Sequence, residues 1–180
     1  MKPNASATWV GDLRRGKGVV TTGSGTLSQN QYFATSGAKG RGTNPYELIA
    51  AAHAACFSIA LAKELAGAGF TPRRINTSAT LSMERLSAEW TITGIHLDVL
   101  ADAPRAKQSA FIEAAVSAKT HCTISRLLKT NISMSAKLEH AENPGTEKVR
   151  RKSHRLKVSK TKKQSIGTSL PKAEGTTYTL

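Results

Sequence analysis

Cys56 and Cys122 are the only thiols in this 180-residue chain, and each sits in a distinctive local sequence. Cys56 belongs to His53-Ala54-Ala55-Cys56-Phe57-Ser58, and Cys122 to Lys119-Thr120-His121-Cys122-Thr123-Ile124-Ser125. Too far apart for a CxxC pair, they become a redox couple only if the fold joins them. One then attacks an oxidant, and the other closes a disulfide on the product. Two blander readings compete. A cysteine in an Ala-rich helix is most often a small hydrophobe. Alternatively, His53, Cys56, His121 and Cys122 make a tetrahedral zinc set. Adjacent residues of a helix point different ways, however, and neither pair has finger spacing, so no metal or other cofactor is expected.

Redox chemistry needs thiolate. A helix is expected to begin near Cys122 and end at Lys129, so Cys122 gains from free N–H groups and the helix dipole. Arg126, one turn further on, adds positive charge. Cys56 lies three turns into its own helix and needs a cation from elsewhere; Arg41, His53 and Arg126 are the candidate thiolate-supporting residues. His53 reads more readily as a packed helix histidine than as a base.

The elements that must position these groups are legible in outline. Asn44 can cap a helix, Pro45 suits its first position, and Glu47 can reach back to the cap. That helix runs to about Ala66, with Gly67 and Gly69 as stop signals. Its small residues on nearly every face predict burial all round. Thr8-Trp9-Val10, Gly18 to Thr22 and Thr26-Leu27 are β-prone, and residues 36–43 form a Gly-rich loop without a phosphate-binding pattern. Ile75 to Arg85 and Glu89 to Leu100 alternate as two strands around a Leu86-Ser87-Ala88 turn, with a bulge at Gly94. Ala106 to Ala118 has helical spacing, and Asn131 to Leu138 alternates as a last strand. Trp9 and Trp90 are expected in the core.

The net charge is +14, and residues 141–180 hold ten Lys/Arg against three Asp/Glu. That stretch is too charged and too poor in apolar surface to bury a core, which predicts a domain at 1–140 and a disordered basic extension at 141–180. Such a tail can make weak, non-specific contact with polyanions, though one aromatic, Tyr178, offers no stacking platform. The apolar stretch Ile49 to Ala62 is too short to span a bilayer, and no secretory signal is visible, so a cytoplasmic protein is expected.

Trp9-Val10-Gly11-Asp12 with Arg15-Gly16-Lys17-Gly18, then Gly42 to Ile49, Ala52 to Ser58, Ala118 to Ser125 and Leu127-Leu128-Lys129 resemble, in order, the OsmC/Ohr family, and more closely its osmotically inducible OsmC branch. The resemblance spans about residues 7–138. It implies an α+β fold in which antiparallel sheets wrap central helices in an intertwined homodimer. It also implies a thiol peroxidase for organic hydroperoxides, acting in the oxidative stress response. Cys56 matches the peroxidatic cysteine and Cys122 the resolving one. A dithiol, lipoylated in some relatives, is the implied reductant. Two positions depart from the family. Its loop arginine falls at Ser36, and its active-site glutamate falls at Tyr46. The runner-up reading is therefore a catalytically degenerate small-molecule-binding protein on the same fold.

Overall fold

A computed structural model describes residues 1–34, 42–139 and 178–179. Strands β1 (Ala5–Val10), β2 (Lys17–Thr22) and β3 (Asn30–Tyr32) form one antiparallel sheet in that order. The backbone of Gly18 passes against the Tyr32 ring, so a side chain there would collide. Thr26-Leu27, expected as a strand, lies in a turn instead, with hydroxyls of Thr22, Ser24 and Thr26 bonded across it. The β-prone Thr was serving the turn, not a ladder.

Helix α1 (Pro45–Gly67) starts as its sequence demands. Asn44 Oδ1 accepts from the N–H groups of Tyr46 and Glu47 at 3.0 and 2.9 Å, and Thr43 donates its hydroxyl to Glu47 at 3.0 Å. The helix stops in a Schellman arrangement. Gly69, at φ +83°, donates its N–H to Ala66 C=O, and Phe70 donates to Leu65 C=O. Only glycine adopts that φ freely.

Strands β4 (Arg74–Leu86) and β5 (Glu89–Asp102) form the long hairpin. Its two-residue turn puts both Ser87 and Ala88 at positive φ, the geometry of a primed turn made without glycine. The pairing steps from Ser82↔Gly94 to Met83↔Ile92, so Thr93 is the extra residue of a bulge beside Gly94. Helices α2 (Gln108–His121) and α3 (Thr123–Leu127) then lead to β6 (Asn131–Glu139). Strand β6 pairs with β5 in parallel, an exception to the expected antiparallel sheets. The physical reason is the connection: two helices make a crossover, which returns the chain in the same direction.

The core lies between the second sheet and the helices. Phe57, Leu61 and Leu65 of α1 and Phe111, Ala114, Ala115 and Ala118 of α2 meet Ile95, Leu97, Val99, Met134, Ala136 and Leu138 of the sheet. Alanines on α2 allow close approach of α1. Burial of Phe57 and Phe111, both fully enclosed, contributes roughly 1.5–3 kcal/mol each.

Three expectations about burial and order change. Helix α1 is not buried all round: His53, Phe57, Leu61 and Leu65 form one buried stripe, while Ile59 is 72% exposed. By length and composition α1 could cross a bilayer, yet this stripe is part of the core. Trp90 is exposed at the β4–β5 hairpin end, and Trp9 is half-buried, tilted against Tyr32 at 5.6 Å. The end of the basic extension forms β7 (Tyr178–Thr179), antiparallel to β6. Edge pairing uses backbone groups and needs no apolar side chains, so composition does not forecast it. The rest of the extension, residues 140–177, lies outside the described residues.

Candidate active site

Helix α1 and the joint between α2 and α3 deliver the two cysteines to one place. Both are free thiols, Cys56 half-buried and Cys122 buried, and their side chains interact. Cys122 ends α2 and begins α3, so it is the hinge residue between the two helices. Its side chain makes no tight cap hydrogen bond like that of Asn44; the groups that favour its thiolate act on the sulfur at longer range.

The two sulfurs are treated differently. Burial pushes the Cys56 thiol up. The Ile124 N–H opposes that, the Cys122 side chain adds to it, and the Thr123 N–H opposes it again; the balance leaves Cys56 above its ordinary value. Burial also pushes Cys122 up, but the Ser125 N–H, the Ser125 hydroxyl, the Cys56 thiol and the Ile124 N–H outweigh it. Cys122 is therefore the more readily ionised thiol.

His53 is fully buried and its Nε2 lies 2.9 Å from Ser125 Oγ. Burial holds its pKa below the usual histidine value. It therefore faces the Cys122 side of the pair, as a neutral ring, and does not stand beside Cys56 as a cation. Arg126 is exposed; with Lys119, Thr120, Ser125, Thr130 and Ile132 it lines a cleft of about 240 Å³ that neither cysteine lines, and it is not among the groups that act on either sulfur. Arg41 and Ser36 lie outside the described residues. Tyr46 is half-buried in the first turn of α1.

His121 turns away from the thiols. Its Nδ1 lies 3.1 Å from Ser117 Oγ and 3.7 Å from Glu64, and Ser117 donates its hydroxyl to Glu64 at 2.8 Å. This ties the end of α2 to α1. With His53 on Ser125 and His121 on Glu64, the four residues are not gathered as a zinc set, and no group of three or more His, Cys, Asp or Glu side chains is gathered for a metal among the described residues.

Ser125 is the neighbour of both His53 and Cys122 that spacing alone does not single out. Its signal is the offset: it stands at the third position of the helix that Cys122 caps, where an N3 side chain and the cap residue meet.

Comparison with known proteins follows the same segments. Residues 37–137 match the OsmC family, described as OsmC-like protein. A peroxiredoxin OsmC of Escherichia coli (strain K12) is 45% identical over 134 residues, covering 74% of this chain and 94% of that protein. A Shigella flexneri protein of the same name matches to the same extent. Among solved structures, an OsmC-like protein of Mycoplasma pneumoniae superposes with a TM-score of 0.64 at 15% identity, over 78% of this chain and 99% of that one. The organic hydroperoxide resistance protein OhrB of Bacillus subtilis gives 0.57 at 23% identity, over 76% and 98%. These structural likenesses establish the fold.

Proposed function

The chain belongs to the OsmC-like family, and from that premise we propose a two-thiol cycle in which Cys56 reduces an organic hydroperoxide and Cys122 resolves the product. The protein is a cysteine-based peroxidase, an oxidoreductase of the oxidative stress response. The observation that carries the cycle is the meeting of the two free thiols between α1 and the α2–α3 joint. The Cys56 thiolate attacks the distal peroxide oxygen, the O–O bond breaks, and the alkoxide leaves as alcohol after taking a proton. Cys56 is then a sulfenic acid. The Cys122 thiolate attacks that sulfur, the S–O bond breaks, and the departing hydroxide takes a proton from solvent and leaves as water as the disulfide forms. An external dithiol, of lipoyl type in the family's pattern, restores both thiols by exchange.

Accessibility supports these roles. Cys56 is half-buried and reachable, whereas Cys122 is 1% exposed behind it. A peroxide meets Cys56 first. The raised Cys56 thiol and Tyr46 at the glutamate position forecast slow attack at neutral pH.

The assembled form we propose is a homodimer. Helix α1 leaves Ala51, Ala52, Ala55 and Ile59 exposed, and the β1–β3 sheet is largely open. A second copy lying on these faces encloses the half-open Cys56. Ile59→Lys should give monomers in sedimentation and lower the peroxidase rate; a dimer that survives it argues against this interface. Location in the cytoplasm, and weak contact of the basic extension with nucleic acid or anionic surfaces, complete the reading.

The deciding experiment is hydroperoxide consumption by purified protein with a lipoyl or small dithiol reductant. Consumption that disappears in Cys56→Ser supports the cycle. No consumption, with retained binding of an apolar small molecule, would favour the degenerate binding protein.

A further inference from the structure

The bond between His53 and Ser125 joins the same two elements that supply the thiols. His53 precedes Cys56 by three residues on α1, and Ser125 follows Cys122 by three on α3. The ring is fully buried, its Nε2 is 2.9 Å from Ser125 Oγ, and its Nδ1 is buried with no partner. That asymmetry selects the tautomer. A buried N–H without an acceptor is rarer and costlier than an acceptor without a donor. The proton therefore sits on Nε2, which donates to Ser125 Oγ. The Ser125 hydroxyl hydrogen is then free to serve Cys122, which caps α3 three residues before it and whose ionisation that hydroxyl favours.

We propose that His53 and Ser125 form a neutral donor chain, His53 Nε2–H to Ser125 Oγ–H to Cys122 sulfur, that steadies the charge on Cys122 as it attacks Cys56 and so sets the rate of disulfide closure. The inference rests on the two-thiol reading above. His53 carries no net proton: the proton lost by Cys122 goes to solvent, and the hydroxide lost by Cys56 takes one back from solvent and leaves as water. The electron pair of the new S–S bond comes from Cys122, and the oxidant is the hydroperoxide already consumed. In the reductive half, the same chain makes Cys122 the better leaving group, so the external dithiol attacks the Cys56 sulfur. His53 is a positioning residue, acting through Ser125.

The test follows the ultraviolet absorbance of the Cys122 thiolate against pH in a Cys56→Ser background. The groups facing Cys122 are Cys56 from α1, His53 through Ser125, and the N–H groups of Ile124 and Ser125; the background removes the first. Ser125→Ala and His53→Phe should raise the titration midpoint, while His53→Gln, which keeps an N–H near the place of Nε2, should restore it. In the two-cysteine protein, stopped-flow oxidation should show disulfide closure slowed about tenfold or more in Ser125→Ala, the worth of a hydrogen bond to a charged group. Sulfenic acid formation should change far less. An unchanged midpoint in Ser125→Ala, or a His53→Gln protein that behaves as His53→Phe, overturns the chain. If the parent never forms the disulfide, the two-thiol reading fails, while the absorbance titration still decides the donor chain.

Discussion

The middle of α1 and the joint between α2 and α3 each bring one thiol to the same spot, and they prepare it in opposite ways. Cys56 sits deep in a continuous helix, where its own backbone N–H groups are already spent on the helix ladder. Its help comes from the N–H groups of Thr123 and Ile124 on the opposite element, and burial wins. Cys122 sits where one helix ends and another starts, and the fresh N–H groups and the Ser125 hydroxyl turn towards it. A helix break activates a buried sulfur; a continuous helix does not. On the proposed roles, the resolving thiol is ready and the attacking thiol depends on outside support.

The largest test of that division removes each thiol. Cys56→Ser should cut hydroperoxide turnover by ~10³ or more. Cys122→Ser should allow one oxidation at Cys56, followed by stalling and over-oxidation to the sulfinic acid, visible by mass spectrometry. If Cys122→Ser alone blocked the first oxidation, the roles would be reversed.

Next in size is the repair of Cys56. A Ser36→Arg/Tyr46→Glu double variant supplies the charged pair that the family pattern places there. Its Cys56 should react about tenfold faster at neutral pH, the effect of one pKa unit on thiolate fraction. Equal rates would mean that another cation, Arg41 first, already serves.

These contrasts also show what a sequence can and cannot convey. The cap at Asn44, the stop at Gly69, the bulge beside Gly94 and the two cysteine segments are local, and local chemistry wrote them into the chain. The one-sided burial of α1 and the exposure of Trp90 were not legible, because an Ala-rich helix and a β-prone tryptophan do not say which faces find a neighbour. The His53–Ser125 bond was not legible for the same reason: its ends are 72 residues apart, and tertiary packing alone joins them. Strand β7 is not legible because an edge pairs through its backbone.

A smaller effect comes from His53. Its pKa in the folded chain is lowered below 6.5 by burial. Stability is therefore complete above pH 6.5 and is lost as pH falls below it, because the unfolded chain takes up the proton first. Urea unfolding should show a decline of at most about 1.4 kcal/mol per pH unit from this group, absent in His53→Gln. An identical decline in both proteins would assign it elsewhere.

The smallest effect belongs to the basic extension. Truncation after His140 removes β7 and much of the positive charge but no residue of the described core. The melting temperature should fall by no more than about 4 °C, and the peroxidase rate should hold. Salt-sensitive retention on DNA should be lost. A larger fall would mean that the extension is part of the fold.

The proposed cycle stands on the meeting of Cys56 and Cys122, and one measurement addresses it directly. The protein is treated with a single equivalent of organic hydroperoxide, digested without reduction, and mapped by mass spectrometry. The predicted result is one intramolecular Cys56–Cys122 disulfide, with the mass of two hydrogens lost. Two intact thiols, or oxidation of one cysteine with the other left free, would contradict it.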